Sequence, residues 1–173
     1  MLTLAIMIIL SDQLSTYLKI LVKEITILYR DLNGDGFNDL IFSSPHASPQ
    51  GRTGVGEVYI VFGGSTWGFP FDLAFLNATQ GVKIQGAFAG DLLGTSISII
   101  DDMNGDGKSD LLLGAWQASP LGRGKAGAVY LLFGRSSWPA IIDLSNITQS
   151  EATIIYGVVT GDALGWSISG VSD

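Results

Sequence analysis

Two acidic loops of ten residues carry the side chains of this sequence that are best suited to chemistry. Residues 31–40 read DLNGDGFNDL and residues 102–111 read DMNGDGKSDL. Oxygen-bearing side chains stand at positions 1, 3, 5 and 9 of each loop, namely Asp31, Asn33, Asp35 and Asp39, and then Asp102, Asn104, Asp106 and Asp110. Ca²⁺ takes about six to eight hard oxygen ligands of this kind. The loops therefore predict one calcium site each.

The spacing of these residues suits a tightly curled loop, in which alternate side chains point inward and can converge on one ion. Position 7 is Phe37 in one loop and Lys108 in the other, which is expected if only the backbone carbonyl of that residue binds the metal. Glycines at positions 4 and 6 allow the backbone angles of such a curl. The alternative is an Asx-rich turn without a metal, in which the same side chains accept backbone hydrogen bonds.

The loops differ from an EF-hand at the position that closes the calcium shell. An EF-hand ends with a bidentate glutamate at position 12, whereas position 12 here is Phe42 or Leu113. A short apolar run follows each loop, and its length indicates a strand and not a helix.

The acidic loop is part of a longer internal repeat with an offset of 71 residues, as from Asp31 to Asp102. The same offset relates two Phe-Gly pairs, at residues 62–63 and 133–134, and two GDxLGxS segments. Each period divides into four strand candidates, which are 40–43, 57–62, 82–85 and 96–100, and then 111–114, 128–133, 153–156 and 167–171. A four-stranded unit that repeats without a linker is typical of a β-propeller blade.

The repeat predicts an all-β fold of four-stranded blades, with complete units at residues 31–101 and 102–172. Asp173 falls at the first ligand position of a third loop, so we interpret the chain as part of a longer propeller. Residues 25–173 form this partial propeller domain. Residues 1–24 are an apolar segment without the repeat signature, either a degenerate signal or anchor or a spurious start.

Composition excludes several classes of function. The chain has 173 residues, a net charge of −7 and 14% charged residues, with no basic cluster, so nucleic acid is not an expected partner. Cysteine is absent, which excludes disulfides and thiol chemistry. The 23 glycines suit many short strands joined by tight turns.

The DxNGDGxxDL loop, the Phe-Gly pair and the GDxLGxS segment together resemble FG-GAP repeats over residues 31–173. The resemblance implies a seven-bladed propeller of the kind found at the head of integrin α chains, located outside the cell or at its surface. It also implies structural Ca²⁺, about one ion per complete loop, and binding to a protein ligand or to a partner subunit resembling integrin β. The membrane would be reached only through regions outside this chain. FG-GAP repeats also accompany enzymes such as the phospholipase D that cleaves GPI anchors, so a non-catalytic propeller beside a secreted hydrolase is the alternative.

The remaining candidate residues favour binding or structure over catalysis, and we expect the chain not to be an enzyme. His46 is the single histidine, and a surface role is expected for it. Asp91 and Asp162 recur once per unit, which favours a turn-stabilising role over an active site. The four tryptophans, at positions 67, 116, 138 and 166, share no aligned position, and core packing is favoured over a binding face. Asn77 and Asn146 lie in N-glycosylation sequons, which matter if the protein is secreted by a eukaryote.

Overall fold

The computed structural model describes residues 28–64 and 71–170, and the predictions for residues 1–24 and Asp173 lie outside this range. The described chain forms nine strands and four short 3₁₀ turns. The strands are β1 (Leu28–Arg30), β2 (Asp39–Ser44), β3 (Glu57–Val61), β4 (Gly81–Gln85), β5 (Ser96–Ile100), β6 (Asp110–Ala115), β7 (Ala128–Leu132), β8 (Ile141–Asp143) and β9 (Ala152–Tyr156). The all-β prediction is confirmed.

Two antiparallel four-stranded units account for most of the strands. Blade 1 has the strand order β1-β2-β3-β4, and blade 2 has the order β5-β6-β7-β9. The units are in equivalent register, since Ile60 pairs with Val82 in blade 1 and Leu131 pairs with Thr153 in blade 2. The β3 and β7 segments are almost wholly apolar because both faces of these inner strands pack against other parts of the protein.

The blades begin earlier in the chain than the sequence repeat. Residues 96–100, taken from the sequence as the last strand of the first unit, pair with β6 and form the first strand of blade 2. Likewise, β1 precedes the first acidic loop and pairs with β2. Residues 167–170 form no strand, unlike the prediction for residues 167–171. A repeated motif defines a period but not which strands share hydrogen bonds, and the pairing sets the blade boundary.

One strand crosses between the blades. Strand β8 follows β7 in the chain, yet it pairs in parallel with β4 of blade 1, with Ile142 opposite Ile84. This strand was not among the predicted strands, because three residues are too few to show a periodic pattern. It extends the first sheet to five strands and links the two repeats.

The main core lies between the blades. The inward faces of both sheets contribute to one cluster of buried side chains, including Ile41, Val58, Ile60, Val82 and Ile84 from blade 1 and Leu111, Leu113, Tyr130, Leu132 and Ala152 from blade 2. A smaller cluster of Leu40, Val61 and Leu76 covers the opposite face of blade 1. The blades therefore stack face to face, as in a propeller.

Within residues 28–64 and 71–170, no helix is long and apolar enough to cross a membrane.

Candidate metal-binding loops

The two acidic loops occupy equivalent places in the two blades. The first joins β1 to β2 and the second joins β5 to β6, so each connects the first two strands of its blade. In both loops the glycines at positions 4 and 6 have positive φ, with values of +80° and +88° for Gly34 and Gly36. A side chain at these positions would strain the backbone, so the glycines fix the shape of the curl.

The carboxylate at position 1 organises the loop from within. Asp31 Oδ1 accepts hydrogen bonds from the N–H groups of Gly34 at 2.6 Å and Asp35 at 3.2 Å, and Oδ2 accepts from Gly36 at 2.8 Å. Backbone N–H donors carry partial positive charge, so the loop gathers donors around a half-buried carboxylate.

The side chains at positions 3 and 5 lie next to each other. Asn33 Nδ2 donates to Asp35 Oδ2 at 3.0 Å, and Asn33 Oδ1 accepts from the N–H of Asp35 at 2.9 Å. Asp35 Oδ1 in turn accepts from the N–H of Phe37, at 2.8 Å. The oxygen atoms of positions 1, 3 and 5 are therefore brought into one small loop, as the spacing predicts.

The second loop repeats these contacts. Asp102 accepts from the N–H groups at positions 3 to 6 of the loop, and the bonds from Gly105 and Gly107 are both 2.6 Å long. Hydrogen bonds from these N–H groups, that of Gly107 foremost, hold the pKa of Asp102 below its usual value. Asp106 Oδ1 accepts from the N–H of Lys108 at 2.9 Å. These hydrogen bonds favour the charged form of the carboxylate, which is also the form that binds a cation.

The carboxylate at position 9 has a different role from the other two. Asp39 is fully buried and accepts from the N–H of Leu32 at 2.9 Å and from the N–H of Gly63 at 2.9 Å. Asp110 does the same with Met103 and Gly134, both at 2.8 Å. These two aspartates bind the acidic loop to the glycine of the Phe-Gly pair, which links two motifs that are separate in the sequence.

Burial has the largest effect on the pKa of Asp39. Removal from water raises this pKa above its usual value, and the N–H groups of Gly63 and Leu32 partly offset the effect. The nearby carboxylates of Asp35 and Asp31 raise it further. A cation in the loop would relieve that repulsion.

The glycine of each Phe-Gly pair is required by this contact. A Cβ atom at Gly63 would overlap the backbone oxygen of Asn38, and one at Gly134 would overlap that of Ser109. The loop and the end of β3 or β7 therefore approach too closely for any side chain. The sequence identified the Phe-Gly pair but not its partner, since the hydrogen bond from Gly63 to Asp39 joins residues 24 positions apart.

The carboxylate and amide oxygens of each loop are the type of ligand that a hard cation such as Ca²⁺ prefers. In the part of the chain that the structure describes, no three Asp, Glu, His or Cys side chains are assembled as a metal cluster, and each position-9 carboxylate accepts two backbone N–H groups. A carboxylate offers about four acceptor sites, and Asp35 uses two of them for the bonds from Asn33 and Phe37. Capacity for a cation therefore remains, and binding stays a prediction.

Comparison with known proteins agrees with the fold. A family model for the FG-GAP repeat matches residues 28–61 and 93–132. The chain is 35% identical over 121 residues to phosphatidylinositol-glycan-specific phospholipase D of Bos taurus, a match that covers 69% of the chain and 14% of that protein. It is also similar to integrin alpha-PS5 of Drosophila melanogaster, at 28% identity over 109 residues, 63% of the chain and 9% of the integrin. Integrin alpha pat-2 of Caenorhabditis elegans is 35% identical over 92 residues, 51% of the chain and 7% of the integrin.

These matches and the two stacked blades define the class: this is an FG-GAP repeat protein, and its described residues form two blades of a β-propeller. The chain spans only about a seventh or less of the relatives it matches.

The other candidate residues lie apart from the acidic loops. His46 is exposed. Asp91 is buried and accepts from the N–H of Phe88 at 3.2 Å, whereas Asp162 is exposed and accepts from the N–H of Val159 at 2.7 Å. Both therefore have the turn-stabilising contact expected of them. Within the described residues, His46, Asp91 and Asp162 are not joined to one another by hydrogen bonds.

The tryptophans have mixed environments, and Trp67 lies outside the described residues. Trp138 is buried, and the guanidinium of Arg135 lies 5.1 Å from its ring centroid. Trp116 and Trp166 form an edge-to-face pair with centroids 4.5 Å apart, and Trp166 is exposed. Core packing thus describes Trp138 but not Trp166.

Both sequon asparagines are exposed. Asn77 Oδ1 accepts from the hydroxyl of Thr79 at 2.6 Å, and Asn146 ends a 3₁₀ turn. Their glycosylation stays a prediction, which the mass of the protein secreted from eukaryotic cells would test.

Proposed function

We propose that this chain is a calcium-stabilised propeller module that acts outside the cell as a binding surface for other proteins, in contacts of the cell-adhesion type. The observation that supports this most strongly is the pair of equivalent loops, which place the same oxygen-bearing residues at the same positions of two stacked blades. Similarity to two integrin α chains supports the adhesion role, with a protein ligand or an integrin-β-like subunit as partner.

The proposed ligands are the side chains at positions 1, 3, 5 and 9 and the backbone carbonyl at position 7. They are Asp31, Asn33, Asp35, Phe37 and Asp39 in the first loop, and Asp102, Asn104, Asp106, Lys108 and Asp110 in the second. When bound, Ca²⁺ would supply the positive charge that offsets the repulsion among these carboxylates. Asp39 already joins the loop to Gly63. A loop held rigid by Ca²⁺ would therefore also restrain the backbone at the end of β3.

A second candidate function is that of a non-catalytic propeller beside a hydrolase, and the similarity to phospholipase D favours it. That match covers 14% of the phospholipase, so its activity is not transferred to this chain. We infer that the chain itself is not an enzyme, because its one histidine is exposed and its turn aspartates are engaged by backbone N–H groups. Ester or phosphodiester hydrolysis that is lost in Asp91→Asn or Asp162→Asn would overturn this inference.

Calcium binding is tested by thermal unfolding and calorimetry. Extracellular calcium modules bind with Kd on the order of 10⁻⁴–10⁻³ M, so a few millimolar Ca²⁺ should raise the melting temperature and a chelator should lower it. The wild type should bind two ions in its described loops, and Asp35→Ala and Asp106→Ala should each remove one.

The matched control is Asp72→Asn, which removes one exposed carboxylate outside both loops and should leave two ions bound. A melting curve that does not respond to Ca²⁺, with no heat of binding at millimolar concentration, would show that the loops are metal-free Asx turns.

A further inference from the structure

Each acidic loop contains an Asn-Gly dipeptide, at residues 33–34 and 104–105. Asparagine is one of the thermolabile residues, and its side-chain amide can react with the backbone nitrogen of the residue that follows. Glycine has no Cβ atom, so this nitrogen is open to the preceding side chain. The other three asparagines, at positions 38, 77 and 146, are followed by Asp, Ala and Ile. The two acidic loops therefore hold the two asparagines whose neighbour leaves the amide accessible.

The first loop holds the asparagine side chain against the following peptide bond. Asn33 Oδ1 accepts a hydrogen bond from the N–H of Asp35 at 2.9 Å. The ring that this bond closes contains both Cγ of Asn33 and the nitrogen of Gly34, as in any Asx turn. Gly34 is exposed, with open space around its Cβ position. The two atoms that would react are thus held in one turn at the surface.

Polar groups of the loop contact each part of the reacting amide. The N–H of Asp35 donates to Oδ1 of Asn33, where negative charge collects when a nucleophile adds to Cγ, and a preorganised donor stabilises such charge. Nδ2 of Asn33, the leaving nitrogen, donates to Asp35 Oδ2 at 3.0 Å. The N–H of Gly34 donates to the carboxylate of Asp31 at 2.6 Å. These contacts favour attack on the amide carbon within the folded loop.

The second loop repeats this arrangement. Asn104 Oδ1 accepts from the N–H of Asp106 at 3.1 Å, and the N–H of Gly105 donates to Asp102 Oδ1 at 2.6 Å. Asn104 and Gly105 are both exposed. The arrangement therefore belongs to the repeated motif and not to one blade.

Asn77 forms the same kind of turn without a following glycine. Its Oδ1 accepts from the N–H of Thr79 at 3.0 Å, and Asn77 is exposed. The residue between them is Ala78, whose side chain hinders the backbone nitrogen. Asn77 is thus a reference within the same chain that separates the effect of glycine from the effect of the turn.

We propose that Asn33 and Asn104 are sites of spontaneous deamidation in the folded protein. The nitrogen of Gly34 or Gly105 attacks Cγ of the preceding asparagine, the new C–N bond closes a succinimide ring, and the bond from Cγ to Nδ2 breaks. The hydrogen of the attacking N–H leaves with the amide nitrogen as ammonia. Water then opens the ring at either carbonyl carbon, its hydroxyl completing a carboxylate and its hydrogen restoring the N–H. The products are aspartate and isoaspartate.

Either product replaces a neutral amide by a carboxylate in a loop that already has three aspartates. Isoaspartate also adds one carbon atom to the backbone between positions 3 and 4. The reaction does not depend on metal binding. Its effect on calcium affinity rests on the proposed function, in which position 3 is a ligand.

The test incubates the full, unglycosylated chain at about pH 8 and 37 °C for several weeks, with a chelator present so that metal binding plays no part. Peptide mapping by mass spectrometry measures conversion of each asparagine, and chromatography separates aspartate from isoaspartate. Asn33 and Asn104 should be converted at least about tenfold faster than Asn77. Ion exchange should resolve species with one and two added negative charges. No conversion at either site, conversion of Asn77 at the same rate, or products that form only in denaturant would overturn the proposal.

Gly34→Ala tests the nucleophile. It should slow conversion of Asn33 by at least about tenfold and leave the rate at Asn104 unchanged, while the circular dichroism spectrum stays that of the folded protein. Gly36→Ala is the matched control, because Gly36 also has positive φ and open space around its Cβ position but does not follow an asparagine. It should leave conversion of Asn33 unchanged. Equal slowing by both substitutions would contradict the assignment of the Gly34 nitrogen as the attacking group.

Discussion

At the scale of single residues, repeated aspartates have different tasks because their burial differs. Asp31 and Asp35 accept hydrogen bonds from within their own loop, whereas buried Asp39 uses both of its oxygens to join Leu32 in the loop to distant Gly63. Asp91 and Asp162 differ in the same way. Each accepts one or more turn N–H groups, but Asp91 is buried and Asp162 is exposed.

Burial of Asp91 predicts a pH-dependent stability. Removal from water raises the pKa of Asp91 to about 6, with a hydrogen bond from Phe88 opposing the shift. The folded state therefore holds the proton more tightly than the unfolded state, whose pKa is near 3.8. The contribution of Asp91 to the free energy of unfolding is most favourable below pH 4 and falls as pH rises to about 6, by roughly 2–3 kcal/mol in total.

Urea unfolding at several pH values between 4 and 7 measures this slope. Asp91→Asn can still accept from Phe88 but cannot ionise, so it should remove the decline and be more stable than the wild type at pH 7. Asp162→Asn is the matched control, since it changes the equivalent exposed side chain and should keep the wild-type slope. An unchanged slope in Asp91→Asn would contradict the assignment.

At the scale of elements, the turns are fixed by close backbone contacts. The turn before β3 packs on the GDxLG segment, where the N–H of Leu93 donates to the oxygen of Val55 at 3.1 Å. Gly56 has φ of +83°, and a Cβ atom there would overlap the backbone of Leu93. Gly127 is in the same position against Leu164 in blade 2. Two segments of each period therefore meet at a glycine.

Gly56→Ala should be strongly destabilising, because backbone atoms of Leu93 cannot move aside as a flexible side chain can. We expect a loss of about 3 kcal/mol or more in the free energy of unfolding. Gly51→Ala is the control, since Gly51 also has positive φ but open space around its Cβ position, and it should lose only about 1–2 kcal/mol. Equal losses in denaturant unfolding would show that backbone angle, and not the contact, sets the need for glycine.

At the scale of the whole molecule, the two blades share one core. Buried side chains from both sheets form a single cluster, and β8 of the second repeat completes the sheet of the first. The ion pair of Arg52 and Asp143 lies at this seam, with side chains 23% and 26% exposed. Neither blade can lose its structure without exposing the core face of the other.

We therefore expect one cooperative unfolding transition for both blades. Asp143→Ala leaves the half-buried guanidinium of Arg52 without its carboxylate, so the shared transition should shift by about 1–3 kcal/mol. Hydrogen exchange at Ile60 in blade 1 and at Leu132 in blade 2 should accelerate together. Asp72→Ala is the control, because it removes the repeat-equivalent turn contact, the hydrogen bond from the N–H of Ala74, without breaking any ion pair found among the described residues. Two separate transitions, or faster exchange in only one blade, would contradict this picture.

Much of this protein follows from the sequence alone. The constant offset of the acidic loop, the Phe-Gly pair and the GDxLGxS segment predicts a repeat, and the β-rich runs between them predict four-stranded units. Seven of the eight strand candidates are strands in the structure. The loop contacts of positions 1, 3 and 5 were also predictable, because they depend on residues only two to five positions apart.

Strand pairing and the contacts between motifs depend on residues that are far apart in the chain, and they are visible only in the tertiary structure. It placed residues 96–100 in blade 2 and added β8 to blade 1, and it turned Asp39 toward Gly63. Strand pairing is set by packing across the whole sheet, and a three-residue strand carries no periodic signal of its own. The spacing of side chains within a loop can be read from the sequence. Burial depends on how the blades stack, and it differs between the repeat-equivalent residues Asp91 and Asp162, and between Ile84 and Ile155.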